Sequence, residues 1–279
     1  MAAVPARRKD GKERAMLYLS PFITIYCCIL AAVLGACMGS FLNCMAWRIV
    51  HGESVWRGRS HCDECGHVLS VRDLVPIFSY AFSRGRCRYC GARLSARHVL
   101  CEGVSAAVFV SLLLKYDISL QGLEALLLAC VLLAASFTDL EGYIIPDRFI
   151  MVGIVLFICS EPLASDPLGR AKEAALGGFA VAGGLLLLVS LVIERALRRE
   201  AMGGGDIKLL FVTGLFLGWR GNLLCLILAC IIGIVFALIA AKRRDGAHAA
   251  IPWGPSIALG AWLTALFGQP LIDWYFSLL

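Results

Sequence analysis

Charged residues are scarce in this chain of 279 residues, and their scarcity excludes several classes of protein. Only 16% of the residues are Asp, Glu, Lys or Arg, whereas 59% are hydrophobic, and the mean hydropathy is +0.79. Soluble globular chains carry about 25% charged and about 45–50% apolar residues. The composition therefore excludes a soluble domain, a disordered chain and a nucleic-acid-binding module, and it indicates a membrane protein with several spans.

Two further absences narrow the function. The chain has no glycine-rich nucleotide-binding loop of the Rossmann type, so no site of that class is indicated. It also has no series of charges in the middle of its apolar segments and no clear internal repeat, features that many transporters have. A transporter or channel stays an alternative, because acidic residues beside membrane segments can also mark an ion path.

Eight apolar segments reach or approach the roughly 20 residues that a helix needs to cross a bilayer. They cover residues 22–46, 99–116, 119–138, 144–160, 174–193, 206–219, 222–241 and 254–278. We therefore predict an all-α polytopic membrane protein, in contact with a lipid bilayer, with about eight transmembrane helices. Its predicted parts are a polar basic tail (1–21), a first transmembrane helix (22–46), a loop domain (47–98) and a seven-helix membrane domain (99–279).

The distribution of basic residues predicts which side of the membrane each loop faces, because cytoplasmic loops are enriched in Lys and Arg. Residues 48–98 alone contain nine Arg residues, so we place this loop in the cytoplasm. Alternation of the spans then puts most of the other loop bases on the same side. The basic tail would face the opposite side, against this rule.

The 13 cysteines divide into two groups. Nine lie in apolar segments, where Cys acts as a small hydrophobic residue. The other four form two CxxCG sequences in the polar loop, at Cys62, Cys65, Cys87 and Cys90. Four thiolates at this spacing predict a closed, tetrahedral, structural Zn²⁺ site whose metal supplies folding energy to the loop domain. An iron–sulfur cluster or a redox dithiol pair is the alternative interpretation.

Asp139 ends one predicted span and Asp206 begins another. The predicted topology places both of these span ends at the cytoplasmic face of the membrane. Two carboxyl groups held close together share one proton, so one can take a proton from water while the other polarises a peptide carbonyl. The three glycines before Asp206 would let a backbone approach closely. For either residue taken alone, the simpler interpretation is that the aspartate caps a helix end or faces water. Asp147 fits this simpler interpretation.

Several motifs, taken in order, resemble those of the bacterial type IV prepilin peptidases (leader peptidases/N-methyltransferases), which belong with the GxGD intramembrane aspartyl proteases. The matching segments are Gly39-Ser40-Phe41-Leu42-Asn43 with Arg48, the two CxxC pairs, Asp73-Leu74-Val75-Pro76-Ile77-Phe78-Ser79-Tyr80, Arg97 with Glu102, Asp139 with Ile145-Pro146-Asp147, Gly203-Gly204-Gly205-Asp206 with Lys208, and Pro252-Trp253-Gly254-Pro255. GxGD alone is a weak motif, whereas the ordered set over residues 39–255 is specific.

The resemblance implies removal of the basic leader from type IV prepilins or pseudopilins at the cytoplasmic face of the bacterial inner membrane. It also implies methylation of the new N-terminus with S-adenosylmethionine in many members. Asp139 and Asp206 are then the catalytic pair, and the four loop cysteines are the zinc ligands. The expected substrate-binding residues are Glu102, Gly203, Gly205 and Lys208. The basic tail is longer than the family usually has.

Two interpretations stay open at this point. The Gly39–Asn43 segment either contributes to methyl transfer or lets helices pack closely, with Asn43 in an interhelical hydrogen bond. A zinc-dependent membrane scaffold is a third hypothesis for the whole protein, beside the peptidase and the transporter. It predicts that both aspartates can be replaced without loss of function.

Overall fold

The structure of the protein is a computed structural model that describes residues 20–55, 57–62, 64–163, 166–197, 203–243 and 252–278. Within these ranges the chain is helical apart from loops and two isolated antiparallel bridges, His61–Val68 and Arg86–Arg93. The all-α prediction is therefore confirmed. Residues 1–19 of the predicted basic tail lie outside the described residues.

Nine α-helices follow one another along the described ranges. They are α1 (Pro21–Val50), α2 (Phe78–Phe82), α3 (Arg97–Tyr116), α4 (Leu120–Gly142), α5 (Asp147–Ser160), α6 (Pro167–Ala175), α7 (Leu187–Leu197), α8 (Gly204–Arg243) and α9 (Gly254–Ser277). A 3₁₀ turn at Val71–Leu74 precedes α2, and another at Glu161–Leu163 follows α5. A π-helix, Leu176–Leu186, joins α6 to α7.

Six helical stretches among the described residues are long and apolar enough to cross a membrane. They are Pro21–Val50, Arg97–Tyr116, Leu120–Gly142, Pro167–Val192, Gly204–Ala241 and Gly254–Ser277. The predicted polytopic membrane architecture is confirmed, and the predicted count of eight is approximate. The difference arises because α5 has only 14 residues and because two predicted spans are the two parts of α8.

The two parts of α8 meet at Gly218, whose φ of +67° and ψ of −179° interrupt the helix. A positive φ favours glycine, which has no Cβ to clash. The side chain of Asn222, fully buried, donates to the carbonyls of Gly177 (2.8 Å) and Leu210 (3.1 Å) and accepts from the Thr213 hydroxyl (2.8 Å). Lipid cannot hydrogen-bond these carbonyls, so Asn222 satisfies them and ties the π-helix to α8.

Helix α1 packs closely against α3 through a glycine. A Cβ added to Gly39 would lie 2.7 Å from the carbonyl oxygen of Cys101. About one turn further, Asn43 Nδ2 lies 2.9 Å from His98 Nδ1 in a hydrogen bond between the same helices. This geometry favours the helix-packing interpretation of the Gly39–Asn43 segment.

The functional residues gather at one end of the bundle, which we call the loop-side end because it carries the loop domain. Helices α1 and α4 end there, and α3, α5, α8 and α9 begin there. An ion pair joins Arg97 at the start of α3 to Glu141 at the end of α4. A second, of 2.6 Å, joins Asp147 in α5 to Lys208 in α8. These contacts hold the helix ends together where α4 is buried on all sides.

Candidate active site

The four loop cysteines converge into one cluster. Their Sγ atoms all lie within 4.8 Å of one another, and those of Cys62 and Cys90 are 3.9 Å apart. Zn–S bonds of about 2.3 Å in a tetrahedron place the sulfurs about 3.8 Å apart, so the donor set fits Zn²⁺. Hydrogen bonds from the backbone N–H groups of Cys90 and Tyr89 lower the pKa of Cys87 to about 7, whereas burial and the three neighbouring thiols raise the pKa of Cys90 to about 12. The predicted cysteine cluster is confirmed.

Both CxxCG sequences use the same backbone turn. The N–H of Gly66 donates to the Cys62 carbonyl (2.8 Å), and the N–H of Gly91 donates to the Cys87 carbonyl (2.9 Å). The two glycines have φ of +67° and +74°. A Cβ added at either position would have no neighbouring atom within 4 Å, so a side chain would not clash there. The glycines are therefore needed because the backbone is left-handed at both positions.

Asp73 joins the middle of the loop domain to the second CxxC turn. Its Oδ2 accepts hydrogen bonds from the Ser70 hydroxyl (2.6 Å) and the Tyr89 hydroxyl (3.1 Å), and its Oδ1 lies 3.5 Å from Arg88 Nε. The Ser70 hydroxyl, more than the other partners, holds the pKa of Asp73 below its ordinary value. The carboxylate is therefore a fixed internal contact of the loop domain.

Glu102 attaches the loop domain to α3. The residue is 7% exposed, and its Oε2 accepts a 2.6 Å hydrogen bond from the Ile77 N–H. Ile77 has a φ of +63°, which is unusual for a β-branched residue, so the bond also secures a strained turn before α2. One oxygen of Glu102 is thus engaged inside the chain, and its predicted contact with a leader peptide stays a prediction.

The structure brings the two predicted catalytic carboxylates together at the loop-side end. Asp139 lies in the last turn of α4 and is 6% exposed, while Asp206 lies half-buried in the first turn of α8. The two side chains are close enough for a direct electrostatic interaction. Two acids on different helices therefore share one partly enclosed site, as paired acid–base chemistry requires.

Gly254 also belongs to this site, although the sequence did not identify it as a hydrogen-bond donor to Asp139. Its backbone N–H, at the start of α9, donates a 2.7 Å hydrogen bond to Asp139 Oδ2. A Cβ at this position would lie 2.8 Å from the same oxygen, so only glycine fits without a shift. The Pro252-Trp253-Gly254-Pro255 motif marked this position, and Pro255 in the first turn of a helix is consistent with it.

The remaining predicted site residues surround Asp206. Gly203 precedes α8, and its carbonyl accepts a 3.1 Å hydrogen bond from the Asp206 N–H. A Cβ on Gly205 would lie 3.0 Å from Ile145, so this glycine lets α8 approach the turn before α5. Lys208 is exposed and paired with Asp147, as described above. These contacts shape the site, and contact of the three residues with substrate stays a prediction.

Two families of known sequences match consecutive parts of the chain. Residues 33–116 match the bacterial peptidase A24 N-terminal domain, and residues 126–238 match the type IV leader peptidase family. The first match contains the cysteine cluster, and the second contains both aspartates. No solved structure matches the chain.

Three relatives each align with more than three quarters of the chain, and all three are named prepilin leader peptidase/N-methyltransferase. The protein of Aeromonas salmonicida (strain A449) is 33% identical over 223 residues, which are 78% of this chain and 75% of that protein. The protein of Pseudomonas putida is 30% identical over 270 residues, which cover 88% of this chain and 92% of that protein. The protein of Bacillus subtilis (strain 168) is 31% identical over 252 residues, which cover 88% of this chain and 96% of that protein.

Proposed function

The chain belongs to the type IV leader peptidase family, and from this premise we propose that it removes the leader peptide of type IV prepilins or pseudopilins. The proposal includes methylation of the N-terminus that cleavage creates. The observation that carries it is the pair Asp139 and Asp206, which lie on different helices and interact at the end of the bundle that bears the loop domain.

In the proposed reaction, the ionised carboxyl of the pair takes a proton from water, and the water oxygen attacks the scissile carbonyl carbon. The protonated carboxyl donates a hydrogen bond to the carbonyl oxygen. The C–N bond then breaks as the leaving amine receives the proton that the first carboxyl took from water, which returns that carboxyl to its ionised form. We assign the ionised role to Asp139, because its Oδ2 already accepts the Gly254 N–H at the positive end of α9.

The depth of the pair suits a substrate whose scissile bond lies at the membrane surface. Asp139 and Asp206 each lie within one turn of a helix end, beside the polar loop domain. A prepilin has a basic leader followed by an apolar helix, so its cleavage site lies at the same depth. We place this end in the cytoplasm of a bacterial inner membrane, because nine Arg residues lie in 48–98. Glu102, Gly203, Gly205 and Lys208 stay the proposed substrate contacts.

We propose Zn²⁺ as the metal of the Cys62, Cys65, Cys87 and Cys90 cluster, with a structural role. Four sulfur ligands close a tetrahedral site and leave no position for water or substrate. The zinc therefore takes no part in peptide hydrolysis, and it would stabilise the loop domain instead.

A cavity lined by both polar and apolar side chains offers a place for the methyl donor. This cavity, of about 340 Å³, lies between the loop domain and the loop-side ends of α1, α3 and α4, and we call it the interdomain pocket. Its lining includes Arg48, Arg97, Glu141 and the Tyr80 ring. Charges of both signs and an aromatic ring match the amino-acid end and the adenine of S-adenosylmethionine, which would supply a methyl group from its sulfonium. Glu141 lies two residues after Asp139 and on the opposite face of α4, so the pocket and the proposed cleavage site lie on the two sides of the same helix end.

The direct test incubates purified protein with a membrane-embedded prepilin, with and without S-adenosylmethionine. Mass spectrometry should detect loss of the leader in both reactions and one added methyl group only with the donor. Calorimetric titration of S-adenosylmethionine should show binding that Tyr80→Leu weakens while the zinc content stays full. Intact prepilin after incubation with folded, zinc-loaded protein would reject the peptidase and favour the transporter or the scaffold.

A further inference from the structure

A deep apolar groove runs along three membrane helices, and its lining ends at Leu140 and Pro255, the sequence neighbours of Asp139 and Gly254. It is a cavity of about 900 Å³ between α3, α4 and α9, and we call it the membrane groove. Its lining on α4 extends from Gln121 to Leu140, which is about 28 Å of helix. The hydrocarbon core of a bilayer is about 30 Å thick, so the groove extends through almost the whole membrane.

One end of the membrane groove lies at the proposed cleavage site. Ser136 and Leu140 of α4 and Pro255 of α9 line this end. Asp139 belongs to the same turn of α4, and Gly254, which hydrogen-bonds to it, is next to Pro255. A peptide bond held at Asp139 would therefore be followed directly by chain that can enter the groove.

The groove is open toward lipid in its loop-side half and bridged in its outer half. The side chains of Leu100 and Val104, on the rim contributed by α3, are 65% and 45% exposed. In the outer half, the Tyr116 hydroxyl donates to the Ala265 carbonyl (2.8 Å), and Trp262 Nε1 donates to Ser111 Oγ (3.0 Å). These bonds join α3 to α9, so an occupant would enter sideways from the loop-side half.

The lining favours a helix over a lipid chain as the occupant. Small residues recur along both α4 and α9, and Ala125, Ala258 and Ala265 among them are only partly buried where they line the groove. Small side chains let two helix backbones approach closely within a membrane, where packing replaces the hydrophobic effect as the source of affinity. A flexible acyl chain needs no such stripe and no continuity with a peptidase site.

We propose that the membrane groove docks one face of the substrate's own apolar transmembrane helix, the segment that follows the scissile bond. The inference rests on the proposed function and deepens it. Docking of this helix sets the register of the chain, so that the junction between leader and helix is delivered to Asp139 and Asp206. The leader alone contributes few of these contacts.

A substrate comparison tests the docking. The substrates are a full prepilin with its apolar helix, in vesicles, and a short soluble peptide that spans the cleavage site and lacks the helix. Val104→Trp narrows the lateral opening of the groove in its loop-side half, at a rim residue that is 45% exposed. We expect the ratio of kcat/KM for prepilin to kcat/KM for peptide to fall about tenfold or more in Val104→Trp. The matched control is Leu188→Trp, at a 62% exposed residue of α7 that does not line the groove.

Photo-crosslinking detects contact between the groove and the substrate helix without requiring cleavage. A benzophenone amino acid is placed at Val104, on the groove rim, or at Leu188, a 62% exposed residue of α7. In an Asp139→Asn background, the Val104 probe should crosslink the apolar helix of intact prepilin, and the Leu188 probe should not. Crosslinks to lipid alone at both positions, or an unchanged substrate ratio in Val104→Trp, would overturn the inference. Failure of the wild-type protein to cleave either substrate would instead reject the proposed function. The two outcomes can be distinguished because the crosslinks form without any cleavage.

Discussion

At the scale of single residues, the geometry of the carboxylate pair depends on a backbone donor as well as on the two acids. The Gly254 N–H fixes one oxygen of Asp139, and the absence of a side chain at Gly254 makes the 2.7 Å bond possible. The absence of a side chain at position 254 therefore matters as much as the charges of the two acids.

Gly254→Ala should lower kcat/KM for cleavage about 10²-fold, because the new Cβ would displace the Asp139 carboxylate and a shift of about 1 Å is enough for such a loss. Gly103→Ala is the matched control, since a Cβ at that position of α3 meets no atom within 4 Å. Steady-state cleavage of a prepilin measures both variants. Equal activity of Gly254→Ala and wild type would show that the hydrogen bond does not position Asp139.

Asp73 is the second residue whose contacts predict an effect. Replacement by Ala removes the acceptor for the Ser70 and Tyr89 hydroxyls and the partner of Arg88, so the second CxxC turn should loosen. We expect zinc to pass to a chelator several times faster in Asp73→Ala than in wild type, as measured with a metal-sensitive dye. Exposed Glu64→Ala should release zinc at the wild-type rate. Identical rates for Asp73→Ala and Glu64→Ala would contradict the role of Asp73.

At the scale of elements, the loop domain and the helices depend on different sources of stability. The loop domain has few buried side chains besides Cys62 and Cys87, whereas α4 is buried over the whole of residues 131–139. A metal therefore replaces a hydrophobic core in the loop, and helix packing holds the rest.

Removal of zinc by a strong chelator should expose the loop to proteolysis at residues 57–96 and leave the helical circular dichroism nearly unchanged. Four sulfur ligands supply most of the folding energy of such a small unit, while the spans are stabilised by packing in the bilayer. Readdition of Zn²⁺ should restore resistance to protease. Loss of most helical signal on chelation would contradict the separation of the two parts.

The interruption of α8 at Gly218 depends in turn on Asn222. Asn222→Ala removes the side-chain donor to the buried Gly177 carbonyl and one of the two side-chain donors to the Leu210 carbonyl, the other being the Thr213 hydroxyl. The loss should destabilise the protein by about 1–3 kcal/mol. Equilibrium unfolding in mixed micelles measures this loss. Thr264→Val should cost less, because the Thr264 hydroxyl bonds only to the Gly260 carbonyl of its own helix. A larger effect of Thr264→Val would refute the assignment.

At the scale of the whole molecule, some features followed from the sequence and others required the folded chain. Two CxxCG sequences predict a cluster by local spacing, and long apolar runs predict spans by length. Asp139 and Asp206 could be paired because the basic loops fix the alternation of the spans. Gly254, the π-helix and the membrane groove depend on contacts between distant segments, which periodicity in a single chain does not encode. Glu102 was predicted as a substrate contact, and its bond to Ile77 appears only when α3 and the loop domain are assembled.

The central claim is that Asp139 and Asp206 act as one unit at the loop-side end of the bundle. The most direct measurement is prepilin cleavage by Asp139→Asn, Asp206→Asn and the double variant, each folded and zinc-loaded. Exposed Asp273→Asn, at the opposite end of α9, is the matched control. The account predicts a loss of about 10²–10⁴-fold in each single variant, no further loss in the double variant, and wild-type activity in Asp273→Asn. Cleavage at the wild-type rate by either single variant would contradict it.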